Sequence, residues 1–222
     1  MDGLLLVDKP TGWTSHDVVA KIRSTIKTET GQNVKVGHTG TLDPVARGLM
    51  LILVGSYTKK AGDFSKLDKT YEGELKLGEV STTGDSEGEK TKVNDKRPSF
   101  KDVEEALKSF VGEVEQTPPV YSALKVNGQR AYKLAREGRV VQLKSRKVKI
   151  YQIGDISYNY PSLKFAVRVS SGTYIRSLAT DIGDKLRTGA YLLSLHRTSI
   201  GSYDIKNAQS IDKLIINDII TL

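Results

Sequence analysis

No cysteine occurs in the 222-residue sequence, which removes disulfides, thiolate nucleophiles and cysteine-ligated zinc together. Its three histidines, His16, His38 and His196, stand far apart and in no HExxH-like spacing, so no metal centre is expected. Neither a GxxxxGK[ST] loop nor a GxGxxG turn is present, which leaves nucleotide and dinucleotide binding without a motif. The apolar run LMLILV, residues 49–54, falls far short of the roughly 20 residues a bilayer span needs. The opening segment MDGLLLVDKP has neither a basic region nor a small-residue cleavage site, so no signal peptide is expected and the expected setting is the cytoplasm.

What is present in excess is positive charge. The net charge is +8 with an isoelectric point near 9.4, which points to an acidic partner. Residues 125–149 hold nine cations, Lys125, Arg130, Lys133, Arg136, Arg139, Lys144, Arg146, Lys147 and Lys149, against one acid, Glu137. That segment alone carries the whole net charge, with Tyr132 inside it and Tyr121 just ahead. A solvated basic face and a polyanion footprint both fit, and the concentration of charge favours the footprint.

At this length one domain, or one domain with a small appendage, is expected, with no repeat or long linker. Residues 3–7 read as a strand ended by the turn DKPTG, and a helix is expected from Thr14 or Ser15 with Val18, Val19, Ile22 and Ile26 buried. Strands are expected at residues 49–54, 71–77, 148–156 and 163–169, the last alternating Leu163, Phe165, Val167 and Val169. Residues 82–89 read as a flexible acidic loop. Ser99 can cap a helix that buries Val103, Ala106, Leu107 and Phe110, and residues 130–137 read as a short helix closed by Gly138. A helix in GTYIRSLATDIGDKL buries Ile175, Leu178, Ala179, Ile182 and Leu186 and leaves Arg176 off that stripe. The mixture, without regular βαβ alternation, predicts an α+β fold with a largely antiparallel mixed central sheet flanked by helices and loops.

One stretch resists a purely structural reading. GHTGTLDPVARGL, residues 37–49, places a single carboxylate, Asp43, among three glycines and a proline directly before an apolar strand. Gly37, Gly40 and Gly48 permit close backbone approach, and Pro44 biases Asp43 toward an extended conformation. Such a carboxylate can be a nucleophile, since Asp and Glu form covalent intermediates in glycosyl chemistry. An ordinary Asp-Pro turn residue is the alternative.

This stretch resembles the catalytic motif of the TruB-type tRNA pseudouridine-55 synthases, close to GHxGTLDPxAxGxLxxxxG. Further family-like blocks follow in the same order: LLLVDKPTGWTSHDVV, KTYEGELKLG, PPVYSALKVNGQRAYKLAREG and SSGTYIRSLATDIGDKL. The likeness covers about residues 1–200. It implies the pseudouridine synthase fold, and isomerisation of uridine to pseudouridine in the T-loop of tRNA: the N1–C1′ bond breaks and C1′ rejoins at C5. The reaction needs neither metal nor cofactor, and the target base must leave its stack.

The resemblance implies that Asp43 is the nucleophile, acting on either the ribose C1′ or the uracil ring. Arg176 is expected to pair with it, and Tyr71 to stack on the target base. His38 matches the residue that meets the everted loop nucleotides, and Lys9 and Pro10 match the pair beneath the active site. Tyr174 and the basic residues Lys125, Arg130, Lys133, Arg136, Arg139 and Lys147 complete the expected RNA contacts. The expected catalytic domain is residues 1–202. Residues 203–222 are too few for the PUA-type domain of standard bacterial members and read as a short tail, with IDKLIINDII as a terminal helix. The expected partner is the tRNA T-arm, met by a monomer with no membrane attachment. Two other readings stay open: a catalytically silent RNA-binding protein on this scaffold, and a synthase for another RNA.

Overall fold

The computed structural model describes residues 1–126, 128–214 and 219. They group into two compact units, Met1–Glu72 with Leu195–Leu222, and Gly73–Ser194. In the first unit β1 (Gly3–Lys9) leads through α1 (Ser15–Thr30) to β2 (Val36–His38) and β3 (Ala46–Val54). β1 runs antiparallel to β3, from Gly3 opposite Val54 to Lys9 opposite Gly48, and β2 also pairs with β3. Leu4, Leu6, Leu49, Leu51 and Leu53 join Tyr57 and Ile200 in one core cluster. The alternate residues Leu5, Val7, Met50 and Ile52 are buried as well, so both faces of these strands are covered. That double burial is why LMLILV is continuous rather than alternating. Each such side chain contributes about 1.5–3 kcal/mol.

Local chemistry sets α1. Thr14 Oγ1 accepts the Asp17 amide at 3.1 Å and the Asp17 carboxylate accepts the Thr14 amide at 2.8 Å, a reciprocal cap at the expected place. The helix buries Val18, Val19, Ile22 and Ile26 and stops at Gly31, whose φ is +71°. β1 runs two residues beyond its expected end, so Asp8 and Lys9 are strand residues and not part of the turn. After α2 (Ala61–Ser65) the chain enters β4 (Lys69–Leu77), which carries it into the second unit.

There β5 (Glu79–Ser81) and β6 (Lys90–Lys92) form a hairpin. Its acidic loop is pinned: Asp85 is 1% exposed, and Gly84 O accepts the Leu192 amide at 3.0 Å. A second reciprocal cap, Ser99 with Asp102, starts α3 (Phe100–Lys108), which buries Val103, Ala106 and Leu107. β7 (Gly112–Gln116) follows, then the short hairpin β8 (Lys125–Val126) and β9 (Gln129–Arg130), and α4 (Ala131–Arg136). The long strand β10 (Arg146–Asn159) runs antiparallel to both β7 and β11 (Ser162–Val169), in the order β4-β11-β10-β7. β11 buries Leu163, Phe165, Val167 and Val169 as the alternation predicts. α5 (Ile175–Leu186) buries its expected stripe and, beyond expectation, Arg176.

β12 (Ala190–Ile200) returns to the first unit and pairs parallel with β3, Leu195 to Arg197 against Ala46 to Gly48. This parallel contact starts β3 at Ala46, three residues before its apolar run. β13 (Tyr203–Asp204) pairs with β12, and β14 (Gln209–Ser210) runs parallel to β1. Helices beside mixed, mostly antiparallel strands make this the expected α+β class. In the segment expected as a terminal helix, Ile211–Lys213 form a 3-10 turn with Ile211 buried; most of the remainder lies outside the described residues.

Candidate active site

The Asp43 loop is tied from several directions within the first unit. Ser15 is 3% exposed, and its Oγ both donates to Leu42 O at 2.9 Å and accepts the Leu42 amide at 2.8 Å. Pro44 O accepts the Gly12 amide at 2.8 Å, and Thr39 donates its amide to Leu51 O at 3.2 Å. A local turn closes from Ala46 N–H to Asp43 O at 3.0 Å. Asp43 itself is half-buried. The carboxylate therefore sits on backbone fixed on both sides, which limits the reorganisation needed to present it.

Close to this loop lies buried positive charge. Lys9 has no exposed surface, and its Nζ donates to Pro10 O at 2.9 Å and Trp13 O at 2.6 Å. Burial lowers the Lys9 ammonium from its ordinary 10.5 to about 8; the negative charge of Asp43 opposes that shift, and the Arg197 cation adds to it. Lys69 is held at about 8 in the same way, by burial and by Arg197. Arg197 stands outside every motif that marked a site residue, yet it is 1% exposed and donates to Gly40 O and Leu49 O.

Tyr71 is buried on β4 in the same unit, on the face that carries Lys69. His38 closes β2 opposite Ile52 and is half-buried, as is Pro10. The first unit thus holds Asp43, Tyr71, His38, Lys9 and Pro10.

Arg176 and Tyr174 belong to the second unit. Gln116, 2% exposed, accepts the Tyr174 amide at 2.7 Å and donates to Tyr174 O at 3.0 Å, fixing the start of α5. From the next turn Arg176 donates to Thr83 O at 3.1 Å and to Tyr121 O at 2.7 Å. Its Nη1 also meets Asp85 Oδ2 at 3.5 Å. Asp85 was hidden in what reads as a flexible acidic loop; its Oδ1 accepts from Thr83 Oγ1 at 2.5 Å and from the Glu87 amide at 3.0 Å. Beside Arg176 opens a cavity of about 300 Å³ lined by Thr83, Pro119, Tyr121, Ser177, Thr180 and Asp181 among others. Burial, with Asp184 nearby, pushes the Asp181 carboxyl up to about 6.

The basic segment is also in this unit. Lys125, Arg130, Lys133, Arg136, Arg139 and Lys147 are all exposed. They are not equivalent. Lys147 and Lys149 pair across the ladder with Glu115 and Glu113, where opposite charges directly facing each other attract. Arg136 lies 5.7 Å from the Tyr132 ring centre, Arg139 lies 3.8 Å from Glu137, and Arg130 donates to Ala123 O at 3.0 Å. Arg146 stacks on Tyr174 at 5.1 Å.

Residues 23–175 match the TruB family pseudouridylate synthase N-terminal domain. A tRNA pseudouridine synthase B of Clostridium acetobutylicum is 46% identical over 225 residues, covering 98% of this chain and 76% of that protein. One from Chlorobaculum tepidum is 44% identical and covers 95% of this chain and 88% of its own length. Among solved structures, one from a Cbf5-Nop10-Gar1 complex superposes with a TM-score of 0.73 at 29% identity, over 96% of this chain and 53% of that one. One from an H/ACA RNP bound to a substrate RNA containing 2′-deoxyuridine gives 0.70 at 26% identity, over 96% of this chain and 52% of that one. The chain spans about half the length of those structural neighbours.

Proposed function

The chain belongs to the TruB family of pseudouridylate synthases, and on that footing we propose that it isomerises uridine 55 in the T-loop of tRNA, with Asp43 as nucleophile. The N1–C1′ bond breaks, C1′ bonds to C5, the C5 proton leaves and N1 gains one, so the reaction is balanced without an oxidant or a second substrate. The supporting observation is the Asp43 loop: a lone carboxylate on backbone tethered at Leu42, Pro44 and Thr39, within electrostatic reach of the fully buried Lys9. Attack needs a carboxylate held in a near-attack geometry, and this loop supplies that constraint.

Arg176, with its fork already ordered by Asp85 and two carbonyls, orients the Asp43 carboxylate during reaction. Tyr71 stacks on the extruded uracil, His38 meets its neighbours in the loop, and Lys9 and Pro10 support the floor. The exposed cations of residues 125–139 neutralise T-arm phosphates. The working compartment is the cytoplasm, where tRNA is modified; among the described residues no helix is long and apolar enough to cross a membrane.

Tritium release from a T-arm hairpin labelled at C5 of uridine tests this directly, because forming the C1′–C5 bond expels that hydrogen. Release from position 55 in proportion to pseudouridine formed is expected. Binding without release would leave a silent RNA-binding protein, and release only from another RNA would reassign the substrate.

A further inference from the structure

Among the described residues with less than 2% of their surface exposed, Arg197 has the largest side chain, at 1% exposure. A charge withdrawn from water is costly unless its donors are satisfied. Arg197 places two of its donors on main chain: Nε donates to Leu49 O at 2.7 Å, and Nη2 donates to Gly40 O at 3.1 Å. Those carbonyls bracket Asp43, three residues before it and six after. The Arg197 backbone meets the same loop, since β12 pairs Arg197 with Gly48 of β3. Gly48 has φ +109°, and a Cβ there would stand 2.4 Å from Arg197 O, closer than any side chain tolerates. A Cβ on Gly40 would stand 3.4 Å from Arg197 Nη1. Two of the glycines that make the motif unusual therefore lie where Arg197 approaches.

We infer that Arg197 is a positioning residue for Asp43, clamping both arms of its loop with one planar fork. The inference rests on the reading of Asp43 as nucleophile. Arginine suits the task because its donors diverge in a fixed plane and reach two acceptors at once, whereas an ammonium group is a single point on a flexible stem. Its cation also lies near Lys9 and helps lower that ammonium, so clamp and floor are electrostatically linked.

Arg197→Lys keeps the charge and loses the fork. The expected result is a kcat about 100-fold lower, the scale of a displacement near 1 Å, with RNA KM and Kd within about threefold of wild type. Amide hydrogen exchange supplies a readout that general weakening would not reproduce. In the variant the Leu42 and Ala46 amides should exchange at least tenfold faster, while the paired amides of β1 in the same unit keep their wild-type rates. An unchanged kcat, or exchange that quickens uniformly through the unit, overturns the inference. Should the variant fail to accumulate folded, wild-type protein decides: the Arg197 Nε proton and the Leu42 and Ala46 amides should exchange at a common rate, and loop amides more than tenfold faster than Nε overturn the clamp. Activity retained in Asp43→Asn would defeat the functional reading alone, since the exchange data still report whether Arg197 holds the loop.

Discussion

Asp85 Oδ2 stands 3.5 Å from Arg176 Nη1, with both side chains almost wholly withdrawn from solvent. The carboxylate is itself fixed by the Thr83 hydroxyl and the Glu87 amide, so the guanidinium leans on a rigid anion. Losing one partner of a buried ion pair costs about 3–5 kcal/mol, because the other charge stays buried without compensation. Asp85→Asn keeps the shape and one acceptor, so the expected loss of unfolding free energy is toward the lower end, accompanied by a fall in kcat. Chemical denaturation and single-turnover rates measured together check this; full stability with full activity would show that the pair is dispensable.

Arg176→Lys tests the fork itself. The lysine cannot serve Thr83 O, Tyr121 O and a carboxylate at once. A strongly reduced kcat with nearly unchanged RNA affinity is expected. If affinity alone falls, Arg176 is a phosphate contact.

For Asp43→Asn the expected outcome is loss of isomerisation beyond the ~10²–10⁴ typical of removing a general acid or base, because a covalent step disappears. Fold and RNA affinity should stay near wild type. Turnover within tenfold of wild type in a tritium-release assay removes Asp43 from the role of nucleophile.

The basic segment should divide along its cross-strand pairing. Each phosphate contact adds about 0.7–0.9 to the steepness of log K against log salt. Replacing Lys133, Arg136 and Arg139 with glutamine should weaken T-arm binding and flatten that slope while leaving the saturated rate unchanged. Lys147→Gln should do less, since Lys147 already faces Glu115. Filter binding over a range of salt concentrations separates them; equal slopes for all variants and wild type would mark a plain solvated face.

Lys9 gives a pH signature. Burial places its folded value at about 8 against an ordinary 10.5, so as pH rises the folded protein releases this proton first. Between those values the unfolded chain binds more protons, and unfolding free energy must rise with pH on account of Lys9. Lys9→Met lacks that term but keeps the similar one from Lys69. Urea melts at pH 7, 8, 9 and 10 should show wild type gaining on the variant above about pH 8, with a constant difference below. A difference that shrinks through the same window would contradict the burial of a charged Lys9.

Elements set by neighbours in sequence were legible before any coordinates. The Thr14–Asp17 and Ser99–Asp102 caps fix two helix starts through contacts three residues apart, and β11 announces its buried face by strict alternation. The loop around Asp43 was legible too, because glycine and proline constrain backbone wherever they stand. Distant partners leave no such trace. β12 offers no clean period, Arg176 lies off the apolar stripe yet is buried, and Asp85 looks like one more surface acid among several. Lys9 followed the opposite course: its DKPTG surroundings read as a turn, while pairing with Gly48 extends the strand through it. In each case the deciding contact joins residues far apart in the chain.

The parallel pairing of β12 with β3 sets residues 195–197 against residues 46–48. On a ribosome adding about 5–20 residues per second, roughly 7 to 30 seconds separate the emergence of the two segments. Through that interval the nascent chain already carries Asp43, Tyr71 and Lys9, but its third strand has no β12 beside it and no guanidinium across the loop. A chain stalled before residue 195 would hold the whole Asp43 motif and still lack both the strand that pairs with β3 and the side chain that donates to Gly40 O and Leu49 O.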